Sequence, residues 1–169
     1  MKHPGSPPDD SLRIMPLVAA REHLANLAAW HGKAWAHLYA GWDAHAARTE
    51  FARDRGDGAP PFTLLALAGT ELLGSVSLVH DDLPGWPTAE PWLGSFLVAS
   101  HHRGRGIGAA LVRAMLAHAD ACAWPRVLLF TETRQAYFER FGFEPIGTHV
   151  AAGHGVIVMA REQRSSASS

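Results

Sequence analysis

The chain has 169 residues, of which 47% are hydrophobic, so it can form one domain with a continuous core but not two of ordinary size. The 15 Lys and Arg residues nearly balance 16 Asp and Glu residues, which excludes the broad basic surface that binds DNA or RNA. The single cysteine excludes an internal disulfide, and no apolar run is long enough to span a membrane, so we expect a soluble, cytoplasmic protein.

The two ends of the chain are predicted to lie outside the folded domain. Residues 1–11 contain three prolines and two aspartates without an apolar run, and residues 161–169 end in serines and alanine with nothing to bury. We therefore expect a disordered lead over residues 1–11, one domain over residues 12–160 and a disordered tail over residues 161–169.

Apolar patterning predicts the order strand, two helices, three strands, helix, strand, helix, two strands. The strands are predicted at residues 13–18, 62–68, 72–79, 92–98, 126–130, 144–150 and 155–160. The helices are predicted at residues 19–39 (whole or broken), at 43–54 with Asp43 as the N-cap, between the turn after residue 98 and Pro125, and at 135–141. This order is typical of an α/β fold, with a mixed sheet and helices on its faces.

A glycine-rich turn follows the fourth predicted strand and leads directly into a helix. It reads Arg-Gly-Arg-Gly-Ile-Gly over residues 103–108. The glycines free the backbone and remove side chains, so that phosphate oxygens can approach the amides at the positive end of the helix. The two arginines add positive charge. The turn therefore predicts a phosphate-binding site.

Two better-known phosphate-binding turns do not fit this segment. The nucleoside-triphosphate P-loop needs Gly-Lys followed by Ser or Thr, and the turn contains no lysine. The dinucleotide fingerprint needs Gly-x-Gly-x-x-Gly, whereas these glycines stand at every second position.

The turn and its surroundings resemble the GNAT superfamily of N-acetyltransferases. That family's signature is Arg or Gln, two residues, Gly, one residue, then Gly or Ala, and Arg103, Gly106 and Gly108 match it. The segment from Ala136 to Phe143 resembles the family's fourth helix. The specific resemblance covers residues 92–147, and the order of elements extends it to residues 13–160.

The resemblance implies a sheet that is splayed between its fourth and fifth strands, with the pantetheine arm of acetyl-CoA in the gap. It also implies transfer of the acetyl group to a primary amine of an unidentified acceptor, by direct attack in a ternary complex. The backbone of Leu97 and Val98 would bind the arm, and Phe138 would pack against it. The expected diphosphate-binding residues are Arg103, Gly104, Arg105, Gly106, Ile107 and Gly108.

The candidate catalytic groups depart from the family pattern. The family commonly has Phe-Tyr-Glu in the fourth helix, whereas this chain has Tyr137-Phe138-Glu139, which rotates the tyrosine by about 100° on a helix. Tyr137 is a candidate acid, or else an ordinary half-buried tyrosine. Residues 92–98 lack the family's glutamate base. The nearest candidates for the base are His80, Asp81, Asp82 and Glu90, in the loop before the fourth strand. His80 is favoured because its ordinary pKa lies near neutrality, whereas a carboxylate would need its pKa raised by burial.

Candidate acceptor-binding residues lie in the loop before the fourth strand and among the tryptophans. Asp81 and Asp82 could attract a cationic amine, or could simply belong to a solvated acidic loop. Trp92, Trp30 and His31 could line the acceptor pocket, although tryptophans at helical positions are more often core residues. The histidines show no metal-ligand spacing, so no metal is expected.

Three functions remain open at this stage. They are an amine acetyltransferase, an acyl-CoA-binding domain with weak or no catalysis, and a glycine-turn protein that binds another phosphorylated ligand. The expected partner is a small-molecule amine or a peptide amine, with no nucleic acid and no membrane. The sequence leaves a homodimer open.

Overall fold

The computed structural model describes residues 11–164, which form a seven-stranded mixed sheet with helices on both faces. The strands are β1 (Leu12–Pro16), β2 (Phe62–Ala68), β3 (Glu71–Val79), β4 (Trp92–Val98), β5 (Arg126–Thr131), β6 (Glu144–Ala151) and β7 (His154–Glu162). The α-helices are α1 (Leu24–Ala34), α2 (Ala44–Phe51), α3 (Ile107–Ala121) and α4 (Gln135–Glu139). The predicted fold class and order of elements are confirmed.

The sheet has the order β1-β2-β3-β4-β5-β7-β6, and its neighbouring strands are antiparallel except for the β4–β5 pair. These two parallel strands pair at a single position, Trp92 with Leu128, and separate beyond it. The predicted splay between the fourth and fifth strands is therefore confirmed. It opens one edge of β4 along most of its length.

Strand β2 shows why helices cover both faces of the sheet. Its residues are apolar almost throughout, as expected of a strand that is buried on two sides. Leu64 and Ala66 belong to the cluster that packs under α3. Leu65 and Leu67 belong to the cluster formed with α1 and α2. The alternation of side chains along a strand therefore fixes the two helical layers.

Helix α2 begins where the sequence predicts. The side chain of Asp43 accepts a hydrogen bond of 2.9 Å from the amide of Ala46, a cap that stabilises a helix by about 1 kcal/mol. The cap ends the segment that joins α1 to α2, and this segment forms one wall of the cavity described below.

The last strand is longer than predicted. β7 continues through Arg161 and Glu162, so the predicted tail boundary at residue 161 is two residues too early. The guanidinium of Arg161 is buried and donates hydrogen bonds of 3.0 and 3.1 Å to the carboxylate of Asp120, which holds the strand end against α3. Residues 1–10 of the predicted lead and residues 165–169 of the tail lie outside the described residues.

Across residues 11–164, none of the helices combines the length and the apolar character needed to cross a membrane.

Candidate active site

A cavity of about 830 Å³ lies in the gap between β4 and β5. Residues 93–98 of β4 line it, and β4 connects its two ends because the β3–β4 loop precedes this strand and the glycine turn follows it. We call one end the turn end, lined by residues 103–104 and 106–109. We call the other the loop end. It is lined by Trp35, Leu38, Tyr39, Trp42, Glu50, His80, Asp81, Asp82 and Pro84.

The backbone at the turn end has the geometry that phosphate binding requires. Gly104 and Gly106 both have φ of +79°, and a Cβ atom added to either would meet no heavy atom within 4 Å. Helix α3 has no side-chain cap at Gly106. The amides of its first turn have no helical partner, and residues 107–109 line the cavity. Main-chain donors are therefore available at this end.

The two arginines of the turn point in different directions. Arg103 turns back, and its Nε donates to the carbonyl oxygen of Val98 over 3.2 Å. Arg105 donates to Nδ1 of His102 over 3.1 Å and is not among the residues that line the cavity. The side chain of Arg105 is therefore not placed where the sequence predicts a cofactor contact. The other predicted turn residues, and Leu97 and Val98, do line the cavity.

Tyr137 reaches the cavity despite its displaced position in the sequence. Its ring stacks on Phe96 with centroids 6.2 Å apart, and its hydroxyl oxygen lies against Gly108, 3.0 Å from where a Cβ would stand. Burial raises the pKa of the hydroxyl, while the nearby Arg134 and Arg140 lower it. The hydroxyl of Tyr137, which extends from α4 to the start of α3, therefore keeps its proton at neutral pH.

Phe138 also lines the cavity, but most of its side chain belongs to the core. Its ring packs edge-on against Phe96 and Phe143, at centroid distances of 5.9 and 6.1 Å. One face of α4 thus fills the core while Tyr137 extends toward the turn end.

Asp82 is the central ionisable group at the loop end. Its carboxylate lies against Gly94 of β4, where an added Cβ would stand only 2.8 Å from Oδ2. The hydroxyl of Tyr39 donates to Oδ1 over 3.3 Å. Burial raises the pKa of Asp82 to about 7; repulsion from Glu50 adds to the rise, and the hydrogen bond from Tyr39 opposes it. The carboxyl group of Asp82, which comes from the β3–β4 loop and packs against β4, therefore has a pKa near neutrality.

His80 and Asp81 line the same end of the cavity but are exposed. The ring of His80 packs edge-on against Trp124, with centroids 6.1 Å apart. Asp81 has φ of 52°, a left-handed conformation that turns the chain just before Asp82. By contrast, the carboxylate of Asp82 packs against Gly94 of β4.

Three residues predicted for the acceptor pocket do not line the cavity. Trp92 is completely buried, because it stands where β4 and β5 still pair, and its ring packs against Phe130 at 6.3 Å. Trp30 packs against the α1–α2 cluster. His31 is completely buried beneath the pocket wall, where its ring is hydrogen-bonded to Trp35 and Ser75. The resemblance placed the segments that carry these residues near the acceptor side, but it could not tell which side chains face the cavity.

The sequence did not single out several residues that line the cavity. Tyr39 lies in the segment that joins α1 to α2, Glu50 lies on α2, and Glu132 and Arg134 follow β5. Their spacing follows no motif, because they come from separate segments that the fold brings together. Charge is divided along the cavity: the acids Glu50, Asp81 and Asp82 line the loop end, and Arg134 and Arg140 lie over the ring of Tyr137, 5.6 and 5.8 Å from its centroid.

Solved structures share this fold. The yncA protein of Salmonella typhimurium, solved with its cofactor acetyl-CoA, has a TM-score of 0.70 and 16% identity over 93% of this chain and 96% of its own. The PaiA N-acetyltransferase of Thermoplasma acidophilum, in complex with coenzyme A, has a TM-score of 0.65 and 15% identity, and the match covers 90% of this chain and 99% of its own. A GNAT-family acetyltransferase of Streptococcus pneumoniae has a TM-score of 0.66 and 17% identity, and the match covers 90% of this chain and 99% of its own.

The sequence comparisons give one positive result. None of the curated protein sequences compared with the chain matches it. The model of the acetyltransferase (GNAT) family matches residues 25–143, which include α1, the splayed strands, the glycine turn and α4. Because this match spans more than half of the sequence, the chain belongs to the acetyltransferase (GNAT) family.

Proposed function

We propose that the protein transfers the acetyl group of acetyl-CoA to a primary amine, by direct attack of the amine within a ternary complex. One observation carries the proposal: a single cavity joins the glycine turn, with its uncapped helix amides, to a carboxyl group whose pKa burial raises to about 7. The acceptor would be a small molecule or a peptide that presents its amine at the loop end.

The turn end fits coenzyme A. The uncapped amides of α3 and the open positions at Gly104 and Gly106 would bind the diphosphate, and the arginines beside Tyr137 add positive charge. The free edge of β4 offers backbone groups to the pantetheine arm. Acetyl-CoA supplies a thioester that an uncharged amine can attack.

Asp82 is the proposed general base, in place of His80. An amine attacks only after it has lost its extra proton, and a base with a pKa near the working pH removes that proton efficiently. Asp82 has a pKa of about 7 and is held against β4, whereas His80 is exposed. The negative charge of Glu50 would also favour the approach of a cationic amine.

Tyr137 is the proposed general acid. Burial raises the pKa of its hydroxyl, so the group holds a proton that it can donate to the departing thiolate. The hydroxyl lies beside Gly108, at the junction of the turn end with β4. The displaced tyrosine of the sequence would thereby serve the role for which the family commonly uses the next residue.

A thiol-release assay with acetyl-CoA and a panel of primary amines tests the proposal, with acetylated product identified by mass spectrometry. We expect release that depends on the amine and is lost in Asp82→Asn. Binding of acetyl-CoA without release for any amine would favour a non-catalytic acyl-CoA-binding domain. A lack of binding at millimolar acetyl-CoA would remove the cofactor assignment.

A further inference from the structure

His31 joins the wall of the cavity to the sheet beneath it. The indole Nε1 of Trp35 donates to His31 Nδ1 over 3.0 Å, and the indole Nε1 of Trp42 donates to the His31 carbonyl oxygen over 2.7 Å. Both tryptophans line the loop end. On its other side, His31 Nε2 lies 2.8 Å from the hydroxyl of Ser75 on β3. His31 itself is completely buried.

The partners of His31 fix the direction of this hydrogen-bond chain. An indole N–H can only donate, so Nδ1 of His31 must accept and the ring proton of the neutral imidazole must lie on Nε2. Nε2 then donates to Ser75, and the Ser75 hydroxyl donates its own proton to the carbonyl oxygen of Ser95 over 3.2 Å. Burial lowers the pKa of His31 to about 3, which keeps the ring neutral.

The last acceptor of this hydrogen-bond chain, the carbonyl oxygen of Ser95, lies at an irregular point of β4. Ser75 pairs with Leu97 and Ser77 with Gly94, so β4 carries one extra residue between these positions. Ser95 lies inside this bulge with φ of 47°, a left-handed conformation that is costly for a residue with a side chain. Residues 94–96 also line the cavity between its two ends.

We propose that His31 is a positioning residue that, through Trp35 and Ser75, holds the acceptor wall in register with the bulge of β4. This rests on the proposed acetyl transfer. Because His31 fixes both the acceptor wall and β4, the distance between the bound amine and the thioester stays constant. Loss of the chain should therefore lower kcat more than it weakens binding of either substrate.

Two buried serines on β3 provide a matched test. Ser75 and Ser77 are both buried, but the hydroxyl of Ser77 is bonded at 2.8 Å to that of Thr63, outside the His31 chain. We expect Ser75→Ala to lower kcat by about tenfold at unchanged acetyl-CoA Kd, and Ser77→Ala to stay within about twofold of wild type. Urea unfolding of both variants corrects for lost stability. Equal kcat values for the two variants would overturn the inference.

A second variant tests the direction of the chain. Trp35→Phe removes the donor that fixes the His31 tautomer, so Ser75 can donate to the imidazole instead of to Ser95. In Trp35→Phe the imidazole proton should therefore no longer be confined to Nε2, as read by nitrogen-15 NMR. A tautomer unchanged from wild type would count against the direction assigned to this hydrogen-bond chain. His31→Gln, which keeps a donor and an acceptor, should retain more kcat than His31→Leu.

Nitrogen-15 NMR of the imidazole measures the tautomer of His31 directly and needs no amine substrate. We expect a single neutral tautomer with the proton on Nε2 from pH 5 to 8, and Trp35→Phe should perturb it. A proton on Nδ1, or titration of His31 within that range, would contradict the inference. Absence of acetyl transfer by the wild type would remove the proposed function, while the NMR result would still decide the state of His31.

Discussion

The two ends of the cavity are built in different ways. The turn end consists mainly of backbone: two glycines with positive φ, the uncapped start of α3 and the free edge of β4. The loop end consists of side chains from the α1–α2 segment and the β3–β4 loop, and its central group, Asp82, has a pKa set by burial. In the proposed reaction, the turn end would bind acetyl-CoA and the loop end would bind the acceptor.

The comparison shows which kind of site leaves a record in a sequence. A backbone site needs glycine at particular positions, so it produces a local motif. A side-chain site needs only that suitable groups meet in space, and many spacings achieve this. The turn end should therefore respond mainly to changes at its glycines, and the loop end mainly to changes at Asp82.

The largest effect is expected at Asp82. Asp82→Asn removes the proposed base, and we expect kcat/KM to fall by about 10² to 10³. In the wild type, kcat/KM should rise with pH through about 7 as Asp82 loses its proton, and this acid limb should vanish in the variant. The exposed neighbour Asp81 provides the control, since Asp81→Asn should keep the limb. An unchanged acid limb in Asp82→Asn would rule out the base role.

The next largest effect is expected at the glycine turn. Gly106→Ala places a methyl group where the diphosphate should approach, and we expect the Kd of acetyl-CoA to rise by about 10- to 100-fold in calorimetry. Gly153 is a matched control, because it has φ of 81° and equally open surroundings in the β6–β7 turn. Gly153→Ala should impose similar strain and leave Kd unchanged. If both variants bind equally well, the turn does not bind the cofactor.

An effect of intermediate size is expected on stability. Because folding raises the pKa of Asp82 from its ordinary value to about 7, the folded state holds more protons than the unfolded state between about pH 4 and 7. The contribution of Asp82 to the free energy of unfolding should therefore fall as pH rises through this range. At pH 8, Asp82→Asn should be more stable than wild type by about 1 to 3 kcal/mol, and at pH 4 nearly equal to it, by urea unfolding. Equal differences at both pH values would contradict the raised pKa.

The smallest effect is expected at Tyr137. Tyr137→Phe removes the proposed acid, but a thiolate leaves readily and water can protonate it, so we expect kcat to fall by only about fivefold. The Kd of acetyl-CoA should not change, since the ring and its stacking on Phe96 remain. A kcat that matches wild type at every pH would assign proton donation to solvent.

The sequence predicted the elements that depend on local patterns. Strand β4, the Asp43 cap and the glycine turn all follow from neighbouring residues, and the structure agrees with each of them. The sequence did not predict which side chains are buried where that burial depends on residues far away along the chain. Trp92 is hidden because β5 pairs beside it, and Arg161 stays in β7 because Asp120 binds it.

The ionisable groups of the site show the same limit. His80 was favoured as the base because its ordinary pKa lies near 7, whereas the structure raises the pKa of Asp82 to about 7 by burial beside Glu50. His31 was expected in the pocket, but it lies behind two tryptophans that line it. The spacing of these residues in the sequence does not show which side chains line the cavity and which are buried behind those that do.

Titration of the nitrogen-15-labelled protein with acetyl-CoA, followed by amide chemical shifts, would show whether the glycine turn binds the diphosphate. We expect saturable changes that are largest at Gly106, Ile107 and Gly108, at the start of α3, with little change at the Gly153 turn. Binding that leaves these amides unmoved, or no binding at all, would contradict the assignment of the turn as the diphosphate site.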